Sequence, residues 1–193
     1  MWRHGRVYEL QLALERRALD AALDLARAGP DDRVLDVATG TGALLRRLAH
    51  RKLAPREVVG LDASPPMLDL ARRRLPPGWR LLAGDAQSLP FPARSFDLVT
   101  ACYLLHLLEP TERAGVTREL ARVLRPGGRA LVVTVAGRRR AARTVLERLP
   151  RASGLRPLDC TAELPAAGLR PLRARFVHGG WPSLCVLARR EDR

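Results

Sequence analysis

The sequence predicts an α/β protein of three layers, in which helices cover both faces of a mostly parallel sheet that ends in an antiparallel hairpin. Up to residue 136, apolar runs of strand length alternate with segments whose apolar residues recur at helical spacing. Near the C-terminus, two apolar runs flank Gly179-Gly180-Trp181, a connection short enough for a hairpin. Strands that alternate with helices run parallel, whereas strands joined by a tight turn run antiparallel, so both pairings are expected in one sheet.

A long helix opens the chain, and a short buried strand follows it. The helical pattern over residues 7–29 ends at Gly29-Pro30, which is typical of a helix C-terminus. The run "RVLDVA" at residues 33–38 is apolar enough for a buried strand. Ser64 and the two prolines after it are typical of a helix start. The other elements of this half are, in order, a helix over 43–52, a strand over 56–62, a helix over 64–75 and a strand over 79–85.

The second half supplies four more strands and one clear helix, which brings the predicted sheet to seven strands. The helix over 110–124 is expected to end at "RPGG", where proline and glycine break the pattern. Pro182 cannot donate a ladder hydrogen bond, so we expect it to be the first residue of its strand. The four strands are predicted over 95–102 ("SFDLVTAC"), 129–137 ("RALVVTVAG"), 169–178 and 182–190. The last two form the hairpin.

Three of the seven predicted strands lie in the first half of the chain and four in the second.

The chain divides into three predicted segments. Residues 1–30 form an N-terminal helical segment, residues 31–136 a core, and residues 137–193 a C-terminal helix with the hairpin. We expect these segments to form one domain, because 193 residues match the usual size of one.

The composition excludes several classes of protein. With 47% hydrophobic and 28% charged residues, the chain is typical of a folded water-soluble domain. No apolar stretch approaches the roughly 20 residues of a membrane span, and the N-terminus carries no export signal, so a cytoplasmic location is the expectation. Cys102, Cys160 and Cys185 are too scattered for a disulfide framework or a metal site, and we expect buried thiols and no metal.

The net charge of +14 raises the question of a nucleic-acid partner. Lys52 is the only lysine, and the chain has no asparagine or isoleucine, a bias typical of a G/C-rich genome that explains much of the arginine excess. Residues 138–151 remain the best candidate for a basic patch. A nucleic-acid partner therefore stays open without being favoured.

The segment "VLDVATGTGALL", residues 34–45, joins a strand to a helix through a loop of small residues. Such a loop offers backbone amides and the positive end of a helix to a ligand. A Walker-type phosphate loop would need a lysine after Gly42, and a dinucleotide fingerprint would need a glycine where Leu45 stands. The remaining ligand class carries a ribose and needs no phosphate.

Several segments in the same order resemble the class I S-adenosylmethionine-dependent methyltransferases. Asp36, Gly40 and Gly42 match the family's first motif, although Ala38 replaces its first glycine, and "LDVATGTG" is particularly similar to the ubiquinone and menaquinone biosynthesis C-methyltransferases. The segments "VVGLDASPPML", "LLAGDAQSLPF", "FPARSFDLVTACYLLHLLEP" and "LRPGG" resemble the later motifs. The resemblance runs from about Val34 to Arg190. It implies a Rossmann-like, doubly wound fold and S-adenosylmethionine as cofactor, with S-adenosylhomocysteine as product.

The resemblance also implies roles for individual residues. Asp62 would accept hydrogen bonds from both ribose hydroxyls, and Asp85 one from the adenine amino group, with the Ala86 amide near a ring nitrogen. Met67 would pack on the adenine, and Asp36 would orient the loop or meet the methionine amino group. The structural alternative is that the two carboxylates cap loops and that Met67 is core. The predicted cofactor-binding set is Asp36, Ala38, Thr39, Gly40, Gly42, Asp62, Ala63, Met67, Asp85, Ala86 and Cys102.

The segment after the fourth strand faces the reacting methyl group in this family. There, Tyr103 and His106 are expected a helical turn apart, as catalytic candidates that could meet the substrate, with a buried core role as the alternative for each. Tyr8, in the N-terminal segment over the substrate site, is a further substrate candidate. Residues 137–168 leave room for only a short lid, so the pocket would be open, completed by a second subunit, or made for a bulky substrate.

We therefore expect a methyltransferase that acts on a small apolar or aromatic molecule at oxygen, carbon or nitrogen. A methyltransferase of RNA or of a phosphorylated substrate is one alternative, because of the net charge and residues 138–151, although the Asn-Pro-Pro-Tyr type of motif is missing. A non-catalytic S-adenosylmethionine-binding module is another, because of Ala38 and the short lid. A dehydrogenase is disfavoured by Leu45.

Overall fold

Seven strands and four α-helices make up the regular structure of the described chain. The protein is represented by a computed structural model that describes residues 5–136, 157–180 and 182–191. The strands are β1 (Arg33–Val37), β2 (Glu57–Asp62), β3 (Arg80–Ala83), β4 (Phe96–Cys102), β5 (Leu124–Val135), β6 (Leu169–Val177) and β7 (Ser183–Arg190). The α-helices are α1 (Gly5–Ala26), α2 (Ala43–Ala49), α3 (Pro65–Arg72) and α4 (Pro110–Val123).

The strands form one sheet in the order β3-β2-β1-β4-β5-β7-β6. Strands β1 to β5 pair in parallel, while β7 pairs antiparallel with both β5 and β6. This arrangement confirms the predicted seven-stranded, mostly parallel sheet with a terminal hairpin. The central strands are nearly continuous runs of buried apolar residues, as expected for strands covered on both faces. Because they are parallel, their carboxyl ends meet at one edge of the sheet.

Helices cover both faces of the sheet, which confirms the three-layer architecture. On one face, Leu19 and Leu23 of α1 and Leu45 of α2 pack with the apolar side chains of the central strands. On the other face, Val116 and Leu120 of α4 join a second apolar cluster. No helix among the described residues combines the length and the hydrophobicity that crossing a membrane requires.

Helix α1 runs along β5 and β7 from the carboxyl edge of the sheet to the opposite edge. Near its end, the Ala26 carbonyl accepts a hydrogen bond from Arg129 at 2.6 Å, at the start of the regular pairing of β5. Farther back, Leu14 lies against Gly180 in the β6–β7 turn, which is at the carboxyl edge because Ser183 pairs with Val135. Residues 5–13 therefore extend about 13 Å beyond that edge, at 1.5 Å per residue.

Two predicted boundaries are wrong. Strand β5 begins at Leu124, so "LRPGG" lies inside the strand, where the pairing with β4 shifts register between Phe96 and Leu98. Gly127 accommodates the irregularity at φ 71°. Strand β7 begins at Ser183, and Pro182 precedes it, its carbonyl accepting a hydrogen bond from the Ala136 amide at 2.9 Å.

The predicted helix in the C-terminal segment falls mainly on residues 137–156, outside the described residues, as does the proposed basic patch at 138–151. The part that is described contains short 3-10 turns at Cys160–Ala162 and Leu164–Ala167. Cys160 and Cys185 are buried and Cys102 is half-buried, and all three are free thiols.

The contact between the hairpin turn and α1 should tolerate no side chain at Gly180. Gly180 has φ 123°, and an added Cβ would overlap the Leu14 carbonyl oxygen. Gly180→Ala should therefore lower the free energy of unfolding in urea by about 2 kcal/mol or more, through overpacking and backbone strain. Gly78→Ala is the matched control, because Gly78 also has a positive φ but meets no atom within 4 Å. Equal losses in the two variants would contradict the contact.

Candidate functional site

The loop between β1 and α2 is built from residues in the left-handed backbone region. Ala38, Gly40 and Gly42 have φ values of 58°, 55° and 75°. An alanine rarely adopts this conformation, because its Cβ approaches the carbonyl oxygen that follows. At Gly42, which caps the start of α2, an added Cβ would lie 3.2 Å from a side-chain carbon of Leu75. The loop therefore turns tightly at the carboxyl edge of the sheet, with Gly42 buried and Ala38 and Gly40 half-buried.

Asp62, the last residue of β2, ties this loop to the start of α3. Its Oδ2 accepts a hydrogen bond from the Gly40 amide at 2.8 Å, and its Oδ1 accepts one from the Ser64 amide at 2.9 Å. Each carboxylate oxygen retains further acceptor capacity. The loop-capping role is therefore present, and it is compatible with the predicted contact to ribose hydroxyls.

Asp36 lies one residue before the end of β1 and is buried, with 2% of its surface exposed. Its Oδ1 accepts a hydrogen bond from the Thr100 hydroxyl at 2.6 Å. Burial raises the pKa of the carboxyl from 3.8 to about 6, the nearby Asp62 charge adds to the shift, and Thr100 opposes it. The Thr39 hydroxyl is close enough to lower this pKa but makes no well-aligned hydrogen bond. Burial of Asp36 thus destabilises the charged form of its carboxyl group.

Sequence reasoning missed Thr100. The register of β1 and β4 places Thr100 directly beside Asp36, so its hydroxyl can donate a hydrogen bond to the buried carboxylate. Its signal in the sequence is a hydroxyl residue within an otherwise apolar strand, "FDLVTAC", but the identity of its partner depends on the pairing of strands 64 residues apart.

Asp85 follows β3 at the same edge. It is exposed, and its Oδ1 accepts a hydrogen bond from the Gln87 amide at 2.9 Å, which fixes the local turn. Ala86 and Met67 are half-buried, Met67 in the first turn of α3, and Ala63 is exposed beside Asp62. The fold thus places the predicted adenine and ribose residues on the ends of neighbouring strands.

The segment after β4 differs from the predicted helical turn. Tyr103 has φ 58°, and only Leu105–Leu107 form a 3-10 turn, so Tyr103 and His106 do not lie on one α-helical face as expected. Their rings nevertheless meet edge to face, with centroids 6.1 Å apart. The two side chains are therefore neighbours, although they do not share a face of an α-helix as the spacing predicted.

Burial keeps the side chains of this segment neutral. It raises the pKa of the Cys102 thiol, and it raises the pKa of the Tyr103 phenol. It lowers the pKa of His106 to about 4. Tyr103 shares a hydrogen bond of 2.8 Å with the hydroxyl of Ser183, a β7 residue that sequence reasoning also missed. Tyr8 belongs to α1, but its side chain is outside the described part of the chain.

Comparisons with known proteins show what the chain is similar to. Residues 34–128 match the family model described as a methyltransferase domain. The demethylmenaquinone methyltransferase of Thermus thermophilus is 45% identical over 126 residues, which cover 63% of this chain and 54% of the relative. Residues 34–128 belong to this methyltransferase domain family. The predicted resemblance to menaquinone biosynthesis methyltransferases is thereby confirmed, and the chain spans about half the length of the curated relatives it matches.

Solved structures show the same fold. A methyltransferase of Haloferax volcanii, in complex with the Trm112 methyltransferase activator, superposes with a TM-score of 0.78 at 21% identity, covering 93% of each chain. The [4+2]-cyclase SpnF superposes with a TM-score of 0.74 at 26% identity, covering 92% of this chain and 81% of SpnF. Because SpnF is named for a cyclisation, the methyltransferase fold alone does not define the reaction.

The strain at Ala38 gives a prediction about the stability of the fold. Ala38→Gly should raise the free energy of unfolding by about 0.5–1 kcal/mol, because glycine relieves the left-handed backbone by more than its extra unfolded-state entropy costs. Ala114→Gly, at an exposed position inside α4, should lower it by about 1 kcal/mol. Urea denaturation of both variants measures the contrast. A loss of the same size in both would contradict the strained conformation.

The buried carboxyl of Asp36 predicts a pH-dependent stability. Below about pH 4 it is protonated in the folded and unfolded chains. Between about pH 4 and pH 6 the unfolded chain releases this proton first, so the carboxyl destabilises the fold as the pH rises. Asp36→Asn should therefore gain stability relative to the wild type across this range, by up to about 3 kcal/mol at pH 7.

Denaturant titrations from pH 4 to pH 7 measure this difference. Asp69→Asn is the control for the substitution itself, because it makes the same change at an exposed residue of α3. A difference for Asp36→Asn that stays constant with pH would show that the Asp36 carboxyl is not buried in the folded chain.

Proposed function

We propose that this chain binds S-adenosylmethionine and transfers its methyl group to a small aromatic acceptor. The observation that carries the proposal is the set of three aspartates, Asp36, Asp62 and Asp85, at or just beyond the ends of three neighbouring parallel strands. A nucleoside with a cationic amino-acid arm presents hydrogen-bond donors and positive charge, and carboxylates suit both. The aromatic acceptor is argued from the 45% identical relative, which is named for a demethylmenaquinone.

Each of the cofactor residues would contact a different part of the ligand. Asp62 would accept from the ribose hydroxyls while it holds Gly40, so that binding also fixes the glycine loop. The free oxygen of Asp85 would accept from the adenine amino group, and Met67 would cover the adenine face. Asp36 and Thr39, whose hydroxyl has no aligned partner, would lie toward the methionine arm.

Bound S-adenosylmethionine supplies a sulfonium methyl group that a nucleophile removes by in-line displacement, leaving neutral S-adenosylhomocysteine. The chain's own contribution would be alignment and the exclusion of water, which benefit a reaction that disperses positive charge. The neutral Cys102, Tyr103 and His106 give the acceptor side a low polarity. Residues 5–13 of α1, which extend past the sheet edge, would cover this side.

A second candidate function is cofactor binding without methyl transfer. The likeness to SpnF favours it, because a protein of this fold is named for a different reaction. Methyl transfer to any acceptor would exclude this candidate. An RNA acceptor would be recognised by binding that weakens steeply with salt.

Calorimetric titration with S-adenosylmethionine and S-adenosylhomocysteine tests the cofactor. We expect micromolar binding of both ligands. Asp62→Ala should weaken binding by about 2–3 kcal/mol, because a charged acceptor and the loop contact are both lost. Asp85→Ala should weaken it by about 1 kcal/mol, since Asp85 is exposed, and should leave the free energy of unfolding nearly unchanged.

The control for these variants is Asp69→Ala, which removes an exposed carboxylate of α3 that pairs with Arg72. Its cofactor affinity should equal that of the wild type. If Asp69→Ala and Asp85→Ala gave the same affinity, adenine would not be bound at Asp85. The absence of binding of either ligand to the wild type would overturn the proposed function.

A further inference from the structure

His106 combines deep burial with an unused hydrogen-bonding atom. Only 2% of its surface is exposed, and its Nδ1 has no hydrogen-bond partner. An unpaired buried polar nitrogen is uncommon in a folded protein, because water has been removed and nothing has replaced it. Such an atom at the edge of the sheet that carries the candidate cofactor site points to a ligand group as its missing partner.

The neighbours of His106 do not supply that partner. The rings of Tyr103 and His106 meet edge to face, and the Tyr103 hydroxyl already shares a hydrogen bond of 2.8 Å with Ser183. The flanking Leu105 and Leu107 have apolar side chains, and the Leu107 and Leu108 amides donate within the 3-10 turn. The imidazole is therefore held in an apolar setting with its polar atom unsatisfied.

The chemical state of the ring limits what it can bind. Burial lowers the pKa of His106 to about 4, so the imidazole is neutral near pH 7 and one ring nitrogen is a hydrogen-bond acceptor. Among the described residues no hydrogen bond fixes which nitrogen carries the proton. A ligand that brings an O–H group can therefore select the form in which Nδ1 accepts.

The proposed reaction favours such a ligand. Attack on a sulfonium methyl requires an electron-rich acceptor, and an aromatic ring bearing a hydroxyl is richer in electrons than the corresponding ring carbonyl. A hydrogen bond from that hydroxyl to a neutral nitrogen increases its electron density without placing a charge in the pocket. The phenol of Tyr103 shows what burial does here, since its pKa is raised and its proton is retained.

We propose that His106 Nδ1 accepts a hydrogen bond from an aromatic hydroxyl of the methyl acceptor. His106 thereby selects the hydroxyl form of the acceptor over its carbonyl and ether forms. This inference rests on the proposed function, because it places the acceptor beside the cofactor site. It assigns His106 to substrate binding and orientation and leaves the hydroxyl proton on the acceptor in the bound state.

The experiment compares phenol with anisole, its methyl ether, as ligands of the chain saturated with S-adenosylhomocysteine. Calorimetry should give phenol about 5- to 10-fold tighter binding than anisole, the range of one neutral hydrogen bond. In ¹⁵N spectra, the ring nitrogen resonances of His106 should move with phenol and not with anisole. The chain has four histidines, which makes the assignment practical.

Two variants and one control make the comparison specific. His106→Phe should bind phenol and anisole equally, whereas His106→Gln, which keeps an acceptor, should restore part of the preference for phenol. His50→Phe is the matched control, because His50 is an exposed histidine at the end of α2, and it should keep the wild-type preference. The spectra of the wild type need no variant, so a misfolded His106→Phe leaves the test intact.

The outcomes separate this inference from the proposed function. Equal binding of phenol and anisole to the wild type, unmoved His106 resonances, or no binding of phenol would overturn it. A phenol preference that persists in His106→Phe would overturn it as well. If S-adenosylhomocysteine fails to bind, the proposed function is lost, while phenol and anisole can still be compared on the free chain.

Discussion

The carboxylate of Asp62 is the constraint on which the candidate site depends. It binds the amide of Gly40 with one oxygen and the amide of Ser64 with the other, so one side chain sets the spacing between the glycine loop and the start of α3. In the glycine loop, the Asp62 contact adds to the backbone hydrogen bonds that Thr39 donates to Leu61 and Gly42 donates to Thr39. The parallel pairing of β1 and β2 is what brings the three residues to one edge of the sheet.

The same edge contains groups that a fold selected only for stability would not retain. Asp36 is a carboxyl buried with a raised pKa, Ala38 has a left-handed backbone, and Nδ1 of His106 has no partner. Each feature costs free energy. Asp36 lies near the end of β1, Ala38 in the loop that follows this strand, and His106 in the segment that follows β4. Concentrated strain and unsatisfied polarity of this kind are typical of binding and catalytic sites.

Sequence patterns were sufficient for the features that depend on local periodicity. The seven strands and the hairpin followed from apolar runs and turn residues, and the positions of Asp62 and Asp85 at strand ends followed from the same runs. Thr100 and Ser183 could not be found in this way, because each is paired with a residue at least 64 positions away. Their partners depend on strand order and register, which no local pattern contains.

The predictions that failed did so where the backbone leaves its regular conformation. Helical spacing between Tyr103 and His106 was expected from their separation of three residues, but the left-handed conformation of Tyr103 prevents a continuous helix. The early start of β5 at Leu124 depends on pairing with Phe96 across a register irregularity, which overrides the breaking tendency of the glycines. In both places tertiary contacts determine the conformation against the local sequence signal.

The packing of α1 against the last strand pair has a consequence for biosynthesis. The Cys185 thiol donates a hydrogen bond to the Ala18 carbonyl at 3.4 Å, so contacts of the first helix are completed by residues made 167 positions later. While the ribosome is still extending the chain, the apolar face of α1 has no β7 to cover it. Such long-range closure delays folding, and incomplete chains expose an aggregation-prone surface. Helix α1 can thus reach its final place only after β7 has been made.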